Sequence, residues 1–123
     1  MTLHNELKRC EKWIQDALDR GPPTHDFIHI VDLVSTGRMQ LWANETSCVV
    51  TEIQDFPKMR VLHLFLAGGS LEGIRDLEEN ALKWSKSVGC TAWTLAGRKG
   101  WERALKDNGW EVANRFMIKR LEQ

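Results

Sequence analysis

Tyrosine is absent from this 123-residue chain, and proline and cysteine occur only three times each. The missing phenol removes one common proton donor from any catalytic scheme. Cys10, Cys48 and Cys90 are odd in number and none has a CxxC neighbour. That excludes a disulfide framework and paired-thiol motifs, and it predicts buried, reduced thiols in a reducing, cytoplasmic setting. Net charge is also missing: 17 Lys+Arg balance 17 Asp+Glu, with a pI near 6.9. The balance argues against a generic basic nucleic-acid face and against an acidic solvating tail. Apolar stretches are too short for a transmembrane span, and the polar start Met1-Thr2-Leu3-His4-Asn5-Glu6 is not a signal peptide. What is present is 42% hydrophobic residues in 14.2 kDa, enough for the core of one domain over residues 1–123.

Two patterns alternate along the chain. Leu3, Leu7, Cys10, Trp13, Ile14, Ala17 and Leu18 recur at helical spacing, after Thr2 as a cap and before Gly21-Pro22-Pro23 as a stop. They predict a helix over about 3–19. Thr24 is expected to cap a second helix, about 25–35, that ends at Gly37. Residues 1–37 thus form a helical N-terminal part. From 38 to 121 a sheet core with two helices follows. Residues 38–43 and 47–54 read as strands around Asn44-Glu45-Thr46. Met59 to Ala67 is a dense apolar run that fits a strand buried on both faces. Ser70 caps a helix that reaches Gly89, Thr91 to Leu95 is a short strand, residues 99–108 a short helix, and Trp110 to Leu121 a last strand. The fold class is α+β, with a mixed, mostly antiparallel sheet and helices on both of its faces.

This order resembles the GCN5-related N-acetyltransferase (GNAT) fold over residues 38–121. The closest motifs are Lys86-Ser87-Val88-Gly89-Cys90 at a helix end and Leu105-Lys106-Asp107-Asn108-Gly109-Trp110, similar to the family's x-L-x-x-x-G-F ending. The compact chain and the series Gly97-Arg98, Trp101, Leu105-Lys106, Gly109 are similar to small phage-encoded members, some carried in virions. For such a protein the location would be host cytoplasm or virion.

The resemblance implies an acetyl-CoA site after the central strand, built on the pattern Q/R-x-x-G-x-G/A. The matching stretch supplies Leu66, Ala67, Gly68, Gly69, Ser70 and Gly73, and Arg98 after the next strand. Backbone N–H groups at a glycine turn can cradle a diphosphate. The stretch lacks the leading Gln or Arg, and Glu72 adds negative charge. A plain strand-to-helix turn capped by Ser70 explains it equally. The family's usual acid, a Tyr four residues before the ending glycine, is here Leu105. Two base candidates remain. Glu52 sits in a mostly apolar strand and His63 in the central strand, where pairing would put both in one cleft. Each also fits a bland role, Glu52 at a solvent-facing strand end and His63 as a satisfied core imidazole.

Other clusters carry less. His25 and His29 stand one helical turn apart without a third ligand at motif spacing, so no metal site is assigned. Cys90 has no histidine beside it in sequence. Arg98, Lys99, Arg103 and Lys106 make a basic helix face diluted by Glu102 and Asp107. Trp101 is the tryptophan expected at a pocket or interface; Trp13 and Trp84 fall on core stripes. Two functions follow. The first is an acetyl-CoA-binding protein that transfers acetyl to an amine. The second is a catalytically inactive interaction or virion-associated protein that keeps the fold and binds a protein partner.

Overall fold

A computed structural model describes residues 2–97 and 99–121. The helical N-terminal part comprises α1 (Leu3–Arg9), α2 (Glu11–Arg20) and α3 (Phe27–Ser35). The Thr2 hydroxyl accepts from the Asn5 N–H at 3.1 Å and starts α1. The single helix expected over 3–19 is two, divided at Cys10, where ψ is 0°. Asp26, not Thr24, is the cap of α3; its N–H donates to His29 Nδ1 at 2.9 Å. Gly37, at φ +81°, ends that helix in the left-handed region, as the sequence suggested.

Strands β1 (Gln40–Ala43), β2 (Ser47–Phe56), β3 (Met59–Gly69) and β4 (Ala92–Leu95) form a four-stranded sheet in sequence order. The first three are antiparallel, and β4 runs parallel to β3. Parallel strands need a long crossover. Here it consists of α4 (Leu71–Asp76) and α5 (Glu78–Ser87). The one helix expected from Ser70 to Gly89 breaks at Leu77. The Gly73 carbonyl accepts from the Asn44 side chain at 2.9 Å, and the Leu77 N–H turns instead to Ile74 at 3.1 Å.

One face of the sheet meets α1–α3. Leu7, Cys10, Ile14, Ile30, Val34 and Met39 close there on Cys48, Val50 and Leu66. Leu7, Ile14 and Ile30 are at most 1% exposed, each worth roughly 1.5–3 kcal/mol of burial. The other face carries Trp42, Thr51, Leu62 and Trp93 toward α4 and α5.

After β4, α6 (Lys99–Leu105) and a 3₁₀ turn (Lys106–Asn108) replace the expected helix over 99–108. The last expected strand, Trp110 to Leu121, is not formed. Trp110 packs on Trp93 with ring centroids 6.5 Å apart, and Arg115 pairs with Glu102 of α6 at 3.3 Å. The segment is thereby tied to α6, and β4 offers only four residues for pairing. Among the described residues no helix is long and apolar enough to cross a membrane.

Candidate active site

The site is set by a mismatch in length between two neighbours. β4 pairs with β3 only from Val61↔Ala92 to Leu64↔Leu95, yet β3 continues to Gly69. Phe65 to Gly69 therefore has no β4 partner. On its other edge β3 pairs Leu64 with Thr51 and Leu66 with Val50, which leaves Phe65 as an extra, bulged residue. A bulge bends its strand and re-aims side chains. The Phe65 ring lies edge-on to His25, centroids 4.9 Å apart. The result is a gap in the sheet beside unladdered backbone.

Glu52 and His63 are register partners on β2 and β3, and His63 is the partner of Thr94 on β4. Directly opposed residues share a face with Cβ atoms about 4.5–5.5 Å apart. The three make a polar row, all half-buried, that ends two residues short of the bulge. His63 Nδ1 lies 2.9 Å from Thr94 Oγ1, and Glu52 accepts from Gln54 Nε2 at 3.1 Å. Burial pushes the His63 imidazolium below its ordinary value, opposed by the Glu52 carboxylate. A neutral imidazole with one nitrogen held by a hydroxyl can accept a proton on the other. The sequence suggested Glu52 and His63. It gave no sign of Thr94, because its place depends on the parallel register.

The strand-to-helix turn lies at the far end of the gap. Leu66 packs in the core, and Ala67 lines a cavity on the opposite face. A Cβ on Gly68 would stand 2.7 Å from Trp13 Cβ. Gly69, at φ +95°, packs against the backbone of Thr46 and Ser47, and Gly73 against the Thr46 and Ser47 hydroxyls. Ser70 caps α4 by accepting from the Gly73 N–H at 3.0 Å, while its own N–H donates to the Thr46 carbonyl at 3.0 Å. The glycines are thus needed for close packing within the chain. The β1–β2 turn, read from sequence as a turn only, locks this loop through Asn44, Thr46 and Ser47. Arg98 lies outside the described residues.

On the α4–α5 face, a cavity of about 100 Å³ opens at the gap. Trp42, Trp93, Trp101 and Trp110 line it, with Leu105 among them. Trp101 is thus at a pocket, as expected, and a leucine stands at the position where the resemblance would place a tyrosine. His25, whose ring meets Phe65, has its Nδ1 2.8 Å from Thr24 Oγ1, and His29 takes the Asp26 N–H. Among the described residues no group of three His, Cys, Asp or Glu is placed to hold a metal. All three cysteines are buried, and burial pushes each thiol up, Cys48 to about 12. None is a ready thiolate.

No protein-family model and no curated protein matches the chain. Solved structures do. An acetyltransferase from Trypanosoma brucei superposes with a TM-score of 0.70 at 15% identity, over 98% of this chain and 96% of that one. Aminoglycoside N-acetyltransferase AAC(6')-Iy, solved in complex with CoA, gives 0.74 at 10% identity, over 99% and 92%. A probable acetyltransferase gives 0.70 at 10% identity, over 100% and 95%. At these identities the likeness is one of fold, and the fold is the GNAT-like α+β fold.

Proposed function

We propose that this chain, folded like the acetyltransferases it superposes on, binds acyl-CoA across the β3–β4 gap and moves the acyl group to an amine. One observation carries the proposal: β3 parts from β4 at Leu64 and Leu95, next to the Glu52–His63–Thr94 row. Bound acyl-CoA supplies an acyl group activated as a thioester. Backbone around Phe65 and Leu66, freed from the β4 ladder, is available to orient the thioester carbonyl. His63, held at Nδ1 by Thr94, takes the amine proton at Nε2, directly or through water. Glu52 beside it favours the imidazolium that forms. Leu105 cannot return a proton to the departing thiolate, so solvent must do so. Gly68, Gly69, Ser70 and Gly73 are assigned the diphosphate, and Arg98 is assigned to it on the sequence resemblance alone. What supports this is the loop's place directly after the gap; its glycine Cα positions are already taken up by protein contacts.

The second reading is a catalytically inactive partner-binding protein, including a virion-borne one of phage origin. The exposure of Phe116 (70%), Met117 (88%) and Leu121 (79%) favours it, as does Leu105 in place of an acid. Calorimetric titration with acetyl-CoA and CoA separates the two. Micromolar binding, about −8 kcal/mol, together with loss of transfer in His63→Gln, supports the transferase. No binding at millimolar ligand overturns it.

A further inference from the structure

We infer that the acyl group carried here is longer than acetyl, a short alkyl acyl group seated in the tryptophan-lined cavity beneath the sheet. The inference rests on the acyl-CoA reading above and specifies its substrate class.

Three observations lead to it. The cavity begins where a thioester would sit. Leu95, Ala96 and Gly97 at the end of β4 and Ala67 on β3 line it, and it continues to Trp42 on β1. The gap therefore joins two different faces. The row Glu52–His63–Thr94 lies on one, for the amine, and the cavity lies on the other.

The walls are largely carbon, with Arg75 and Glu78 the charged residues among them. The Thr51 hydroxyl donates to Gln40 Oε1 at 2.8 Å and accepts from Trp42 Nε1 at 3.1 Å. Trp93 Nε1 donates to Ser85 Oγ at 2.9 Å, and that hydroxyl donates to the Leu82 carbonyl at 3.0 Å. Among the described residues no buried side-chain polar atom is without a partner. An amide-bearing arm laid against Trp42, Thr51 and Trp93 finds no free donor or acceptor there, whereas an alkyl chain needs none.

Size then sets the length. An apolar cavity of about 150 Å³ takes benzene. By proportion, the 100 Å³ here takes about four carbons. Acetyl fills about half of that space, and octanoyl exceeds it.

The test is calorimetry with CoA, acetyl-CoA, butyryl-CoA and octanoyl-CoA. Two further methylenes, each worth roughly fourfold, predict that butyryl-CoA binds about fifteenfold tighter than acetyl-CoA. Octanoyl-CoA should gain nothing beyond butyryl. Ala81→Leu, on the α5 wall, should cut the butyryl-to-acetyl ratio measured within the variant to about twofold. If CoA binds and the wild-type series is flat, the acyl assignment fails and the function stands. If CoA itself does not bind, both fall. The wild-type series decides the matter even if the variant does not fold.

Discussion

Replacing Thr94 with valine asks whether β4 aims His63. Valine keeps the β-branched shape and removes Oγ1, the atom 2.9 Å from His63 Nδ1. The scheme requires Nδ1 to carry the proton and Nε2 to be free. It also requires Thr94 Oγ1 to act as the acceptor, one of the two directions that a hydroxyl allows. A hydrogen bond of this kind contributes roughly 0.5–1.5 kcal/mol net. Lost from the productive state alone, that is about a two- to twelvefold fall in kcat. Thr94→Ser should recover most of it. His63→Gln removes the base, for roughly a 10²- to 10⁴-fold loss. The decisive quantity is the coupling: in the His63→Gln background, Thr94→Val should cost nothing further. Release of the CoA thiol, followed across a panel of amines, supplies the rates. The pH profile adds a readout that a structural role would not move. Burial lowers the His63 value, so the acid limb of kcat/KM should fall below pH 6.5 and vanish in His63→Gln. Equal effects of Thr94→Val in both backgrounds, or a His63→Gln variant with wild-type rates, would refute the argument.

Other perturbations test the frame around the site. Gly69→Ala combines a left-handed φ of +95° with contact against Thr46 and Ser47, so it should cost about 2–5 kcal/mol in urea unfolding. Gly109→Ala, at φ +84° with nothing near its Cβ, should cost only about 1–2 kcal/mol; equal losses would show that the Thr46–Ser47 contact is immaterial. With its thiol pushed up to about 12, Cys48 should resist alkylation at pH 8 in the native protein and react once urea unfolds it. Rapid native labelling of Cys48 would contradict its burial. For His63 the unfolded chain holds its proton more tightly than the fold does. Stability should therefore be full above about pH 6.5 and decline as pH falls below it, by less in His63→Gln; identical pH dependence in the two proteins would exclude His63 as the cause.

Much of the frame was legible because apolar spacing reports burial. The stripe Leu7, Cys10, Ile14 and the run Met59 to Ala67 predicted helix and central strand; the structure buries the stripe, but of the run it buries only Val61, Leu62 and Leu66 and leaves Met59 exposed, so the strand is not buried on both faces throughout. Breaks inside helices were not legible. The interruption at Leu77 depends on Asn44, 33 positions earlier, which removes the Gly73 carbonyl from the helix. The last strand was misread for a related reason. Alternation from Trp110 to Leu121 shows that a segment can pair, but not that an edge is available. Contacts to Trp93 and Glu102 lead the segment along α6. At the site, Glu52 and His63 could be named as residue types in strands. Thr94 could not, since only the β3–β4 register brings it to His63. The glycine loop shows the reverse: three glycines beside a helix start suggested an anion, and packing against Trp13, Thr46 and Ser47 already accounts for them.

The cavity sharpens the choice between a working transferase and a retained scaffold. The pocket leaves a largely apolar wall facing water, which works against a compact fold. A domain of this size has only about 5–15 kcal/mol in total. A scaffold kept only for its surface has no use for such a void, and larger side chains at Ala81 or Ala67 would close it. The void also lies at the point where β3 and β4 part, and the Trp42 and Trp93 indoles and the Thr51 hydroxyl are bonded away from it. A packing defect would have no reason to meet the gap there. An acyl chamber must do so, because its occupant is joined to the thioester. Ala81→Leu therefore separates the two accounts by stability as well as by affinity. If the space is unused, filling it should raise the urea midpoint and leave the acyl series unchanged. If the space is the chamber, Ala81→Leu should collapse the butyryl preference whether or not the midpoint rises.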